Sequence, residues 1–325
     1  MKSKVIISIF TFCIVFFGMH FFVDTEAPKV PQVEPQEIQV YVPPVIPPPR
    51  TTPKLTTTEI TDFRSYQEVV SLLKQWEEEA PRLCEFGTYG KTKNGTDCVY
   101  LRMGTEGKPK LLIHSCIHGN ERLAAACTLN IMARLLSSYA QDEEATWILD
   151  NRDIYFVPML SPDTYLRSRY VEGVDPNRNY PCPERPNIES ASPLMRIREF
   201  HHQQQFKGVI SGHTFGRDFF YPRFGPRDEI RDLAREMANI ANYSASPVGG
   251  SYPARNPGSR GYEIDWYYWT GAVAILCEFS DGSPGGHEMP SRKIIPEVDR
   301  TYRAYLLFMK RAPEITVTPP KGVVW

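Results

Sequence analysis

Three kinds of pattern follow one another along the chain. The first is a mostly apolar run, Val5–Val23, which carries no Asp, Glu, Lys or Arg and follows Lys2 and Lys4. Its length is close to the roughly 20 apolar residues that span a bilayer as a helix, and no small-x-small cleavage site follows it. Residues 1–26 therefore read as an N-terminal membrane anchor or signal segment. Lysines ahead of such a span place the N-terminus in the cytoplasm and the remainder outside it. The second pattern, residues 27–54, has no periodicity and is punctuated by Pro28, Pro31, Pro35, Pro43, Pro44, Pro47, Pro48, Pro49 and Pro53. Such a tract is extended, polyproline-like and semi-rigid, a spacer of ~3.1 Å per residue. The third begins near Leu55 and alternates strand-length and helix-length segments. Thr58–Ala80 is predicted as a helix, with Val69, Val70, Leu72, Leu73 and Trp76 on one side. Arg122–Tyr139, Asp228–Ala241 and Pro296–Arg311 are three more helices. Val99–Met103, Lys110–Cys116, Ile154–Leu160, Gly208–Ser211 and Ala272–Phe279 are short apolar runs of strand length. Strands that are apolar on both faces and alternate with helices predict an α/β fold, a mostly parallel mixed sheet between helices. The domain is expected over residues 55–313, with a C-terminal tail over 314–325.

Composition sharpens this picture. The chain of 325 residues is 42% hydrophobic and 12% aromatic with a net charge of −1, which excludes a disordered chain. It also leaves no bulk basic charge to draw the protein onto nucleic acid, and a monomer is expected. Proline is abundant, at 29 residues, nine of them in the tract at 27–54. Seven cysteines are present, and Cys13 falls in the apolar N-terminal run. Cys116, Cys127 and Cys277 sit in apolar segments and read as buried thiols, whereas Cys84 and Cys98 flank a turn-rich stretch and form the candidate disulfide. Cys182 completes the set, and no C-x-x-C occurs that would point to a cysteine zinc site.

The polar residues that interrupt the apolar segments carry the chemistry. The strand Lys110–Cys116 runs into Ile117-His118-Gly119-Asn120-Glu121, with a helix directly after. An imidazole and a carboxylate three residues apart at the carboxyl end of a strand can converge on one metal ion. The spacing is common by chance, so it needs a partner. His213 closes the apolar run Val209–Gly212, and strand ends are where an open α/β sheet forms its crevice. Glu278 closes the run Ala272–Cys277, where a buried unpaired carboxylate would be costly, so it is expected to face a cleft as a general base. Val174-Asp175-Pro176-Asn177-Arg178-Asn179-Tyr180 is a turn whose Asn177 and Arg178 can grip a carboxylate through N–H donors. His114 reads as core, His201 and His202 as surface residues of a polar helix, and His20 and His287 as histidines without a partner.

Together these segments resemble the zinc metallocarboxypeptidases of the carboxypeptidase A-like superfamily, over about Thr58 to Arg311 and in the family's order. The resemblance rests on His118-x-x-Glu121, Asp175-Pro176-Asn177-Arg178-Asn179, Ser211-Gly212-His213, Ile264-Asp265-Trp266 and Glu278. It implies a carboxypeptidase-like α/β/α sandwich that binds Zn2+ through His118, Glu121 and His213, with Asp175 accepting a hydrogen bond from His118. It further implies that Asn177 and Arg178 bind the substrate's terminal carboxylate and that Glu278 is general base and then proton donor. Arg169, or Arg167 in its place, would stabilise the oxyanion, and Ile264 would sit near the side-chain pocket. The chain departs from the digestive members. Ser161-Pro162-Asp163-Thr164 stands where the family often has Asn-Pro-Asp-Gly, Pro257 lies near the position of a mobile tyrosine, and Tyr252 or Tyr262 could substitute for it. These departures look more like the compact microbial members, including those that trim peptidoglycan stem peptides. Arg255 and Arg260 could then suit acidic or diaminopimelate-type groups, giving a periplasmic or surface-facing enzyme whose substrate is a peptide or muropeptide with a free C-terminal carboxylate. Two other readings remain: a related amidohydrolase that deacylates small N-acyl amino acids, and a catalytically inactive peptide-binding module.

Overall fold

The structure, a computed structural model, describes residues 50–223, 228–249 and 261–318. The N-terminal segment, nearly all of the proline tract, Tyr252, Arg255, Pro257 and Arg260 lie outside the described residues. Among those described, no helix is long and apolar enough to cross a membrane.

Eight strands form one sheet: β1 (Cys84–Lys91), β2 (Asp97–Gly104), β3 (Lys110–Ser115), β4 (Asp153–Val157), β5 (Gly208–Thr214), β6 (Asp218–Tyr221), β7 (Ser244–Pro247) and β8 (Val273–Phe279). Their spatial order is β1-β2-β4-β3-β5-β8-β6-β7. The central strands β4, β3, β5 and β8 are mutually parallel, and β6 is parallel to β7. The joins β1/β2, β2/β4 and β6/β8 are antiparallel. The mostly parallel mixed sheet is therefore present, with antiparallel joins towards its edges.

The helices are α1 (Tyr66–Glu79), α2 (Arg122–Ser137), α3 (Glu143–Asn151), α4 (Ser192–Gln204), α5 (Asp228–Ala241), α6 (Glu263–Trp269) and α7 (Ile294–Arg311). Successive residues of the central strands feed opposite cores, as a pleated strand requires. Leu111, Ile113, Ile210, Ile275 and Cys277 pack into one core with α1, α2, α3, α5 and α7. Leu112, Val209, Ala274 and Leu276 pack into a second core with α4 and α6. Each fully buried Leu, Ile or Phe contributes roughly 2 kcal/mol of burial energy, so strands apolar on both faces hold the two layers to one sheet.

α1 starts at Tyr66, well inside the predicted Thr58–Ala80. Ser65 and Glu68 form a capping box that fixes the start, Glu68 N–H donating to Ser65 Oγ at 3.3 Å and Ser65 N–H to Glu68 Oε2 at 2.6 Å. The preceding residues, outside any helix or strand, lie against α2. There the buried Asn130 accepts the Ile60 N–H at 2.9 Å and donates to the Ile60 carbonyl at 2.9 Å. Cys84 and Cys98 are both buried free thiols, contrary to the candidate disulfide. The β1/β2 register explains why: Cys84 lies opposite Met103 and Cys98 opposite Gly90, so the two sulfurs sit at different levels of the ladder.

Candidate active site

The sheet delivers its polar residues to the carboxyl ends of β3, β5 and β8. The chain leaves β3 through Cys116, whose φ of 53° turns it sharply into His118. Gly119 then passes so close to Thr164 that a Cβ would lie 2.2 Å from the Thr164 carbonyl oxygen, so only glycine fits. Glu121 immediately precedes α2. His213 lies on β5 directly opposite Glu278 of β8. Partners in register project to the same face, so sheet pairing alone brings the second histidine beside the glutamate.

His118, Glu121 and His213 are 3%, 1% and 1% exposed, and one ligand atom from each lies within 4.8 Å of the others. His118 Nδ1 is 2.8 Å from Glu121 Oε1, and His213 Nδ1 is 2.9 Å from Glu121 Oε2. The outer nitrogens are tied to carboxylates, His118 Nε2 to Asp175 Oδ1 at 3.1 Å and His213 Nε2 to Glu263 Oε1 at 2.6 Å. With both Nε2–H groups donating outward, both Nδ1 lone pairs face the same point as the Glu121 carboxylate. Two neutral imidazoles and one carboxylate, each imidazole backed by a carboxylate, form the donor set of a catalytic zinc site, and the residues fit the ion. Burial alone would raise the Glu121 carboxyl, but the His118 and His213 rings, which Glu121 in turn holds protonated above their ordinary range, keep it far below the usual range; a bound cation would take the place of those ring protons.

Glu263 is the residue that sequence reasoning missed. It opens α6, is fully buried, and also accepts from Ser211 Oγ at 2.7 Å, while its N–H donates to Asn177 Oδ1 at 3.0 Å. His114 Nε2 is 3.5 Å from Glu263 Oε2, and burial lowers that ring to about 4, so it stays neutral in the core as expected. The available signal was a glutamate placed directly before Ile264-Asp265-Trp266 in a segment with almost no other charge.

Four of the remaining expected residues meet around a cavity of about 440 Å³. Arg169, Asn177, Arg178 and Glu278 line it together with the three metal-ligand candidates. Arg169 Nη2 donates to Asp175 Oδ2 at 2.9 Å, and its Nη1 lies 3.6 Å from Glu121 Oε1. Arg167 is exposed and donates to the Asp163 carbonyl, away from the cavity. Arg178 lies 4.1 Å over the Tyr262 ring, which also lines the cavity. Glu278 Oε2 is buried and meets no hydrogen-bond partner. Burial pushes this carboxyl up to about 7, with Glu121 adding to the shift and His213 opposing it.

Three expectations are corrected. Ile264 is fully buried in the second core and is not among the cavity-lining residues, because its place in the first turn of α6 points it at the sheet. Phe220, Val248, Tyr262 and Leu276 supply the apolar wall instead. His201 is buried, 2% exposed, with Nε2 3.0 Å from Thr270 Oγ1 and its ring against Trp266 and Tyr267; only His202 is exposed. The polar α4 turns one flank into the aromatic core, which a count of polar residues does not reveal. His287 has a partner after all: it lines the cavity, with Nδ1 3.2 Å from Thr214 Oγ1.

The comparisons agree with this geometry. The zinc carboxypeptidase family profile matches residues 69–304. Pig carboxypeptidase A1 is 26% identical over 301 residues, covering 78% of this chain and 71% of its own length. A zinc carboxypeptidase of the blackfly Simulium vittatum is 24% identical over 299 residues, covering 77% of this chain and 96% of its own length. Among solved structures, carboxypeptidase A of Helicoverpa armigera superposes with a TM-score of 0.67 at 17% identity, covering 78% of this chain and 74% of its own. A metallo-carboxypeptidase of Burkholderia cenocepacia superposes with a TM-score of 0.60 at 14% identity, covering 75% and 69% of the two chains. A profile match across most of the chain and a buried His-Glu-His set at the strand ends lead to one conclusion: the chain belongs to the zinc carboxypeptidase family, hydrolases that act as exopeptidases.

Proposed function

We propose that the protein removes the C-terminal residue of a peptide, with His118, Glu121 and His213 holding Zn2+ and Glu278 acting as general base. The observation that carries this reading is the unpartnered Glu278 carboxylate in the same cavity as the His-Glu-His set and Arg178. Zinc at such a site polarises a carbonyl and lowers the pKa of a water towards ~7. Glu278 accepts the proton of the attacking water and returns it to the leaving amine. The Arg169 guanidinium donates to the oxyanion that develops on the scissile carbonyl, a contribution of roughly 3–4 kcal/mol by analogy with other oxyanion donors. Asn177 and Arg178 hold the terminal carboxylate, which an internal residue lacks, and this makes the enzyme an exopeptidase. Arg178 is kept in place by the Tyr262 ring beneath it and by donating to the Asn177 carbonyl at 2.6 Å.

Glu278→Gln should retain stoichiometric zinc and lose turnover by about 10²–10⁴-fold. A fully active, zinc-loaded Glu278→Gln enzyme would remove the assigned base. Hydrolysis of N-acyl amino acids with peptides left intact would favour the amidohydrolase reading instead.

We further infer that the substrate is a wall-derived peptide and that the enzyme is held outside the cytoplasm. Support comes from the apolar run Val5–Val23 and from the proline tract after it, long enough to extend the domain tens of ångströms from a membrane. Purified enzyme that trims ordinary polypeptides but leaves muropeptides intact would overturn the wall-peptide assignment.

A further inference from the structure

One buried carboxylate in the cavity has no role in the chemistry above. β6 pairs antiparallel with β8, Asp218 opposite Glu278 and Phe220 opposite Leu276. β8 pairs with β5, Glu278 opposite His213 and Leu276 opposite Ser211. Partners in register share a face, so His213, Glu278 and Asp218 stand in one row across three adjacent strands, and Ser211, Leu276 and Phe220 stand in the next. Strands lie about 4.8 Å apart, which sets the Asp218 backbone about 10 Å from that of His213. Asp218, Phe220, Val248, Tyr262 and Leu276 all line the cavity that holds the metal-ligand candidates.

Asp218 is 9% exposed. Its Oδ2 accepts from Ser246 Oγ at 2.9 Å, while its Oδ1 is buried with no hydrogen-bond partner. The cavity's two arginines are engaged elsewhere, Arg169 with Asp175 and Arg178 over Tyr262. Burial pushes the Asp218 carboxyl up from its ordinary value against the hydrogen bonds of Ser244 and Ser246, a shift that a cation beside it would oppose. Asp218 stands at the end of an apolar wall, beside Glu278 but with no part in the chemistry above, and an acidic group so placed matches a side chain with a methylene stem and a cationic head.

We propose that Asp218 reads the side chain of the substrate's C-terminal residue and selects one that ends in an ammonium or guanidinium group. The stem packs on Phe220 and Leu276, and the head meets Asp218 Oδ1. This proposal rests on the carboxypeptidase reading above and names its substrate class. The required chemistry is shared by lysine or arginine at the end of a protein and by the diamino acid of a wall peptide.

The test uses the zinc-loaded enzyme and peptides that differ only in their last residue: lysine, arginine, norleucine or glutamate, with a muropeptide ending in diaminopimelate as a further arm. The expected result is a kcat/KM at least tenfold higher for a cationic ending than for norleucine, expressed mainly in KM. Asp218→Asn should shrink that ratio tenfold or more. Release of lysine or arginine with the muropeptide untouched supports the proposal with proteins as the source, and the reverse supports it with wall peptides as the source. Norleucine released as fast as every cationic ending overturns the proposal and leaves the carboxypeptidase reading standing. Failure to release any C-terminal residue overturns both. The panel on the unaltered enzyme decides the matter even if Asp218→Asn fails to fold.

Discussion

Glu263 shows how much of this site depends on a residue that never touches substrate. It is fully buried and holds His213 from behind through a 2.6 Å contact to Nε2. Glu263→Ala would leave that nitrogen without its acceptor and free the ring to rotate or change tautomer. Removing such an outer partner typically weakens metal binding 10–100-fold. Competition with a chelator should show that loss of zinc affinity, and a variant that binds zinc as tightly as the unaltered protein would dismiss the role. His118, Glu121, His213 and Glu278 could be singled out in the sequence because each follows or closes an apolar run, where a polar side chain needs a reason, whereas Asp175 lies in a polar turn and entered only through the family resemblance. Glu263 was not legible, because a glutamate at the start of a helix ordinarily faces water. Nor was the Asp218 contribution, because Asp218 follows Gly216-Arg217 and reads as a turn residue until the β6/β8 register sets it opposite Glu278. Arg178 gives a complementary prediction: Arg178→Ala should raise KM for free-carboxylate peptides far more than it lowers thermal stability, as steady-state kinetics and a melting curve would show.

At the scale of elements, legibility followed burial. The central strands β3, β4, β5 and β8 were visible because parallel strands covered on both faces are continuous apolar runs. β1, β6 and β7 escaped. β1 carries exposed polar and glycine positions, while β6 and β7 are four residues each. α6 was missed as a helix because seven residues, mostly aromatic, give no periodicity to read. The start of α1 was misplaced because Ile60 and Phe63 ahead of Ser65 continue the apolar spacing, whereas the capping box sets the true start. Ser65→Ala should therefore destabilise the fold by about 1 kcal/mol with no change in zinc content. Asn130→Ala should cost about 1–3 kcal/mol, because the Ile60 N–H and carbonyl that it pairs would be left buried and unpaired. Denaturant titration reads both, and an unchanged midpoint for Asn130→Ala would show that the segment ahead of α1 is held by other contacts.

For the whole molecule, the site is also a stability element. Glu121 and Glu263 place two carboxylates in the interior around His213, and a divalent cation balances their charge. At saturating zinc a tightly bound ion adds about 4 kcal/mol to stability at a thousandfold excess over its dissociation constant, which for a domain of this size corresponds to roughly 8–16 °C in Tm. Chelation should lower the melting temperature by an amount of that order. The described cysteines are all free and buried, so reductant should leave the melting curve unchanged.

Mass spectrometry of one peptide offered with a free and with an amidated C-terminus, with and without chelator, decides whether the protein is a zinc-dependent carboxypeptidase. A zinc exopeptidase releases a single C-terminal residue from the free-carboxylate peptide in the presence of zinc, and gives no product from the amidated peptide or after zinc removal. Internal cleavage, equal trimming of the amidated peptide, or undiminished activity after chelation would contradict that assignment.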